Sequence, residues 1–511
     1  MYGIIFGAVL LTSTLGWIIG SHVYRYFRDE KGLRRYPGMD WLAPFTNVAF
    51  MLESNKGFRS KRLQELHAKG MPVIRTGPNS LSYSDPKAIR DIYGHSTKCR
   101  KDGQYDILSG SHTHLADVTD SGEHARKRKV LSSAYALKNL EEWEFKVAYT
   151  TGRMINQFDK RCGGEIIDYR SWTNFFALDA IAYIGLSQPM GFLDAGNDRC
   201  ISAGFDGSTK EVNFRECLYG TSTAQSILAW SYPWYKHIVS LSKLVSPRFR
   251  NYWNLNKDWD GIYLHQTNQR LARYVKGEEL DDFFQALMHD KNGASHNLDF
   301  GEILAEISIM MNAGSTTTAI AMANVMYQLL INSEFMRRLQ EELDSVLDDE
   351  DIVAPYEKVK YLPYLRACLD ESLRLFPPTS HGLPRVTPPE GTSILGEYIP
   401  GGVTVSMSSY VVHRDPTIFP EPEKYNPDRW LGEAGKELGP YFVSFSAGAR
   451  GCIGRNISYL EQTVALATMV HRYDITLARP DFVPDRRETF NLHPNELPIV
   501  LKLRQRVDEL I

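Results

Sequence analysis

The chain has 511 residues, 43% apolar and 12% aromatic, and its 58 Lys and Arg against 61 Asp and Glu leave a net charge of −3. That balance excludes a disordered chain, a disulfide scaffold and a collagen-like fibre, and it gives no sign of a nucleic-acid binder. Length alone suggests about three domains or one unusually large one.

The first predicted element is an anchor. Residues 1–24 contain no Asp, Glu, Lys or Arg, and at about 1.5 Å per residue a helix of that length spans the roughly 30 Å hydrocarbon core. Arg25, Arg28, Lys31, Arg34 and Arg35 follow, a cluster retained on the cytoplasmic side, so the remainder is expected to face the cytosol. A cleaved signal peptide fits less well, because no basic side chain precedes the apolar stretch and no A-x-A site follows it. A buried core helix would leave the basic cluster unexplained. Residues 25–45 read as a basic hinge whose YPGMDWLAPF carries two prolines and a glycine.

Beyond the hinge, residues 73–85 alternate around Gly77-Pro78 like a strand pair, and EYIPGGVTVSMSS does so around Pro400, Gly401 and Gly402. The rest reads mainly as helix, without repeats or spacers. Residues 348–351 are acidic and are expected to form a solvated loop. The stretch 303–332 carries no charge after Glu306 and is long enough to pass for a second membrane span (307–333). Its Asn312, Ser315, Thr316, Thr317, Thr318, Asn324 and Gln328 would be costly in lipid, so a buried central helix is expected. A further helix begins near Pro363 and is stopped by Pro377 and Pro378.

Six cysteines without a CxxC pair suit a reducing compartment, and five of them read as small buried hydrophobes. Cys452 differs. It lies in a loop with Gly448, Gly451 and Gly454, immediately ahead of an apolar-periodic helix. Glycines allow close approach to a flat ligand, and a helix N-terminus stabilises negative charge on sulfur. One thiolate with no second ligand nearby serves zinc poorly, whereas a haem iron needs only one proximal protein ligand.

Phe445-x-x-Gly448-x-Arg450-x-Cys452-x-Gly454 resembles the haem-binding signature of the cytochromes P-450, the haem-thiolate monooxygenases. Five such positions recur by chance at roughly one start in three million. Other motifs of that family appear in its order. Glu371-x-x-Arg374, followed by Pro427-Asp428-Arg429-Trp430, is similar to the buried Glu-Arg-Arg triad, with Arg429 third. Ala313-Gly314-Ser315-Thr316-Thr317-Thr318 is similar to the oxygen-activation segment, in which glycine admits dioxygen and a threonine, here Thr317, supports proton delivery. Thr316 stands where most members carry Asp or Glu, and a hydroxyl does not supply the acid's charge. His124 and Arg128 occupy the Trp-x-x-x-Arg positions that reach haem propionates, with His in place of Trp; Arg385 and Arg450 match further propionate-pairing positions.

The resemblance implies a mainly α fold, a large helical domain with a smaller β-rich part, preceded by one transmembrane helix. Its parts are 1–24 (anchor), 25–45 (hinge) and 46–511 (one catalytic domain), because the triad, the oxygen segment and the Cys loop must meet at one haem b with Cys452 as axial thiolate. Electrons would come from NADPH through a separate reductase docking on Lys127, Lys129 and Arg455, since no dinucleotide fingerprint is present. Residues 102–117, Asn312, Ala313, 379–383 and 490–493 would touch substrate. His112-Thr-His114-Leu-Ala-Asp117 differs from H-x-H-x-D hydrolase ligands in placing Asp117 one position too late, and is read as a polar loop. WSYPWY (230–235) would rest at the bilayer surface. The expected location is the endoplasmic reticulum membrane, single-pass, with the catalytic part cytosolic.

The pattern looks most like fungal enzymes near the benzoate para-hydroxylases and their secondary-metabolism relatives. It implies oxidation of a small, largely apolar or aromatic substrate by dioxygen. The alternatives are a haem-thiolate isomerase or dehydratase that does not use dioxygen, a benzoate-like hydroxylase of catabolism, and a non-enzymatic two-span membrane protein.

Overall fold

The computed structural model describes residues 2–132, 134, 135, 141–232 and 234–505, with side chains described except at 2–11, 14 and 15. The chain is mainly helical, and its described strands form small sheets of two to five strands. Tyr2–Arg28 is one helix. The expected membrane crossing is not met among the described residues, where no helix is long and apolar enough to cross a membrane. The side chains at 2–11, 14 and 15, on which much of the 1–24 expectation rests, lie outside the described residues.

The segment read as a hinge is docked from Leu33 onward. Leu33, Tyr36, Met39 and Ala43 are buried. The Met39 N–H donates to the Arg75 carbonyl at 3.0 Å, and the Arg75 N–H donates to that of Pro37 at 2.8 Å. Lys31 donates to Asn79 Oδ1 and the Gly402 carbonyl, each at 2.9 Å. Part of the basic cluster thus holds the chain end against the sheet.

The central helix runs Phe300–Ile331, and its first turn is capped by Asp299, which accepts from the Glu302 N–H at 2.9 Å. It packs antiparallel along Tyr169–Leu186, with Gly185 against Met310 and Gly314 against Ile181. Its polar residues are mostly buried among protein elements, which is why the stretch lacks charge without being a membrane span. The proline-bounded helix is Pro363–Leu375, as its breakers predict.

Val73–Gly77 and Ser80–Tyr83 pair antiparallel around the expected Gly-Pro turn. The second expected pair does not form. Thr404–Met407 instead lies between Ser80–Tyr83 and Arg385–Val386, while Glu397–Ile399 pairs with Thr392–Ile394. At Gly401 the backbone passes so close to Pro389 that a Cβ would come within 2.2 Å of its carbonyl oxygen, and Gly402 has φ 68°. The chain therefore leaves this turn sideways instead of folding back on itself. The resulting five-stranded sheet ends with Arg100–Lys101 beside Arg385–Val386, which sets Lys101 opposite Arg385. The main apolar cluster draws on residues from Leu115 to Leu501.

Candidate active site

The thiol loop turns through Ser446 (φ 58°) and Gly448 (φ 66°) and closes where the Cys452 N–H donates to the Phe445 carbonyl at 2.9 Å. A Cβ on Gly448 would lie 2.1 Å from the Tyr93 carbonyl oxygen, so this glycine serves the approach of two backbones rather than of a ligand. Cys452 alone of the six cysteines is exposed, yet protein surrounds the sulfur, so it opens into the interior of the fold. That enclosure pushes the thiol pKa up, and the Gly454 N–H, Arg128, Arg455 and the Arg455 N–H oppose it. The helix Arg455–Arg472 begins three residues on and directs its N-terminal dipole at the sulfur.

The central helix presents Ala313, exposed although most of its neighbours are buried, and Thr317, one turn on and half-buried. The Thr317 hydroxyl donates to the Ala313 carbonyl at 2.7 Å. Thr318 Oγ1 and Ser458 Oγ, 3.0 Å apart, tie this helix to the one that follows the thiol loop. Thr316 is buried at 4% exposure and does not share the open face of Thr317. Gly314 also departs from expectation: its Cα hydrogen faces Ile181, and a Cβ there would lie 2.6 Å from that side chain. Helix packing therefore requires this glycine. Gly314→Ala is expected to destabilise the protein by about 1–3 kcal/mol, measured by denaturant unfolding, with Ile181→Val in the same chain restoring part of the loss.

A group of cations converges beside the thiol loop. Arg128 donates to the Gly451 carbonyl at 2.7 Å and Arg450 to that of Val118 at 2.6 Å, while Arg385 is buried over the Tyr93 ring. None of the three makes an ion pair with a carboxylate among the described residues. Lys101, which sequence reasoning passed over, completes the group from the neighbouring strand. Burial, Arg385 and Arg450 push its pKa down to about 7, and burial with Arg450, Arg128, Lys101 and Arg385 takes His124 down to about 4. Like charges facing each other across a strand pair are unfavourable, so the arrangement calls for an anion.

On the opposite side of the loop, Glu371 is fully buried and accepts five hydrogen bonds. Its Oε2 takes Arg374 Nε (2.8 Å) and Trp430 Nε1 (2.9 Å), and its Oε1 takes Arg374 Nη2 (2.9 Å), Arg429 Nε (3.0 Å) and the Asn426 N–H (2.9 Å). Arg374 Nη1 donates to the carbonyls of His413 and Pro422, each at 2.8 Å. His413 joins this cluster to the thiol loop: its Nδ1 lies 3.0 Å from the Arg374 carbonyl, its Nε2 accepts from the Val443 N–H at 3.0 Å, and its ring stacks on Phe442. Burial and Arg374 lower its pKa to about 3. An unfolded histidine titrates near 6.5, so this stabilisation is present above about pH 6.5 and is lost as pH falls toward 3. Stability is expected to decline between pH 6.5 and 5, with His413→Gln flattening the slope by about 1.4 kcal/mol per pH unit in thermal unfolding.

The model of the family described as Cytochrome P450 matches residues 37–503. The chain belongs to the cytochrome P450 family. Among its relatives are the cytochrome P450 monooxygenase atr2 of Stereocaulon alpinum, 28% identical over 93% of this chain and 90% of that protein, and the benzoate 4-monooxygenase bphA of Aspergillus niger, 28% identical over 91% and 92%. The cytochrome P450 monooxygenase stcF of Emericella nidulans is 27% identical over 91% and 92%. As a member, this P450 is an oxidoreductase that uses haem with a cysteine thiolate, electrons from a redox partner and a small-molecule substrate.

The side chains present fit that cofactor. An interior-facing thiol stands at the N-terminus of a helix tied to the central helix next to Thr317, and cations with no carboxylate ion pair among the described residues gather where two carboxylates would be held. Phe445 packs against Tyr459 and Phe442 behind the loop, and a Cβ on Gly454 would lie 4.0 Å from Cys452 Sγ. Lys127 is corrected as a docking residue: it is buried and bound to Glu302 (2.8 Å) and Glu306 (3.1 Å), while Lys129 and Arg455 are exposed. His114 and Asp117 contact each other at 3.3 Å within their loop. In the 230–235 segment Trp230 packs inward on Phe50 and Trp234 is 67% exposed, while Pro233 lies outside the described residues. Thr379 donates to Asn491 Oδ1 at 3.2 Å, so the 379–383 and 490–493 segments meet.

Proposed function

We propose that this P450 inserts one atom of dioxygen into a small, largely apolar or aromatic organic substrate, within secondary metabolism, using NADPH electrons delivered by a separate reductase. The observation that carries this reading is the interior-facing thiol of Cys452 ahead of a helix that Ser458 ties to Thr318 of the central helix, beside a cation cluster whose Arg128, Arg385 and Arg450 make no ion pair with a carboxylate among the described residues. When bound, the haem supplies the activation of dioxygen. The chain's own part is to hold Cys452 as a thiolate with the Gly454 and Arg455 N–H groups and Arg128, to neutralise the propionates with Arg128, Arg385 and Arg450, and to offer them a hydrogen bond from neutral His124. Thr317 holds a proton at the open face, while buried Thr316 does not replace the missing acid there, so protons must come from groups other than a carboxylate at 316. Glu371, Arg374 and Arg429 keep the loop in place.

The protein is further read as anchored in the endoplasmic reticulum membrane by its first helix. Support comes from the 27-residue length of that helix, its basic last turn with Arg25 and Arg28, and its exposed Trp17 and Ile19. Full-length protein is expected in the membrane fraction, with a thiolate-type Soret band in the reduced carbon monoxide complex and substrate turnover that needs reductase, NADPH and dioxygen. Turnover without dioxygen would replace this reading by the isomerase or dehydratase one.

A further inference from the structure

Four arginines, Arg59, Arg170, Arg270 and Arg374, are among the largest fully buried side chains. Three pair with a carboxylate: Arg59 with Glu488 (3.2 Å), Arg270 with Asp282 (2.8 Å) and Arg374 with Glu371 (2.8 Å). Arg170, in the Tyr169–Leu186 helix, does not. Its Nη2 donates to Tyr219 Oη at 3.2 Å, and its Nε and Nη1 have no partner among the described residues. Asp168 attracts Arg170 from a distance without pairing with it, and its oxygens accept from the Leu497 N–H (2.9 Å) and Ser171.

The ring of His493 lies 4.7 Å from that of Tyr219, its Nε2 is 3.2 Å from Thr489 Oγ1, and its buried Nδ1 has no partner among the described residues. Burial and Arg170 lower its pKa to about 3, so the ring is neutral. With Nδ1 carrying the hydrogen, the groups still to be satisfied are donors: Arg170 Nε and Nη1, His493 Nδ1, and the hydrogen of the Tyr219 hydroxyl, whose oxygen accepts from Arg170. A buried guanidinium with no carboxylate bonded to it among the described residues is costly, and an acceptor-only group of single negative charge satisfies all three residues. The site is formed by three elements, the Tyr169–Leu186 and Phe214–Leu228 helices and the Leu492–Pro494 strand, and the strand packs on the central helix that carries Thr317.

We propose that Arg170, Tyr219 and His493 form an internal anion site that takes the carboxylate of an organic-acid substrate. It rests on the oxidase reading above for the fate of the acid, though not for its binding. The test is calorimetric titration of the haem-loaded full chain with benzoate, cinnamate and 1-naphthoate, each against its own amide. At least one acid is expected to bind about 30-fold tighter than its amide, and Arg170→Gln to cut that preference to about threefold or less. Because the change removes an unpaired buried charge, this variant is expected to melt no lower than the parent. Should it fail to fold, Tyr219→Phe is expected to weaken acid binding about fivefold and leave amide binding unchanged. Acids and amides binding alike, no acid binding, or a preference that survives these changes would overturn the site. The reduced carbon monoxide band, recorded on the same protein, separates this failure from failure of the haem-thiolate reading.

Discussion

Replacing Cys452 by Ser is expected to abolish the thiolate-type Soret band of the reduced carbon monoxide complex and all turnover, with little change in the fold. A serine hydroxyl is smaller than the thiol and fits its place, while the loop is closed by the backbone bond from the Cys452 N–H to the Phe445 carbonyl, which serine keeps. The sulfur's electron density is what suits an iron ligand, and an alcohol at a helix N-terminus does not supply it. Absorption spectroscopy and circular dichroism of the purified variant check both halves. A retained thiolate band would mean that another cysteine holds the iron.

Glu371→Ala is expected to do the reverse, removing the fold around the loop and with it haem incorporation. The substitution strands the buried guanidinium of Arg374 and leaves the donors of Arg429, Trp430 and Asn426 without their acceptor. Breaking a buried pair from one side costs about 3–5 kcal/mol, against a total stability of about 5–15 kcal/mol for a native protein. Arg374→Ala should behave alike, because it leaves the Glu371 carboxylate buried beside fewer donors. Haem-to-protein ratio and the unfolding midpoint of the purified variant are the measurements. Normal haem content in Glu371→Ala would show that the triad is dispensable.

Much of this site was legible because its chemistry is local in sequence. The thiol, its glycines and the helix that follows lie within one short run, and Glu371 and Arg374 sit one helical turn apart, so spacing alone put each pair on one surface. Roles that depend on what lies across the gap were read less well. Gly314 and Gly448 stood out as glycines near a ligand, whereas the neighbours that need them are Ile181 and Tyr93. Lys127 read as a surface cation because Glu302 and Glu306, which bury it, belong to a distant helix.

Lys101, His413 and Arg170 carried no local signal. Lys101 matters only because its strand pairs with that of Arg385, and His413 because it lies between Arg374 and Val443. The expected hairpin at 397–407 failed for a similar reason. Alternation predicts strands but not their partners, and Thr404–Met407 gains two neighbours by crossing to distant strands.

What the sequence determined by itself was periodicity, helix boundaries and the linear motifs, since each depends on neighbours within a turn or two of the chain. The tertiary structure decided which charges are paired and which are not. Pairing is a property of distance in space, and for a buried ion that distance separates a structural bridge such as Arg374–Glu371 from an unpaired cation such as Arg170, which needs an anion.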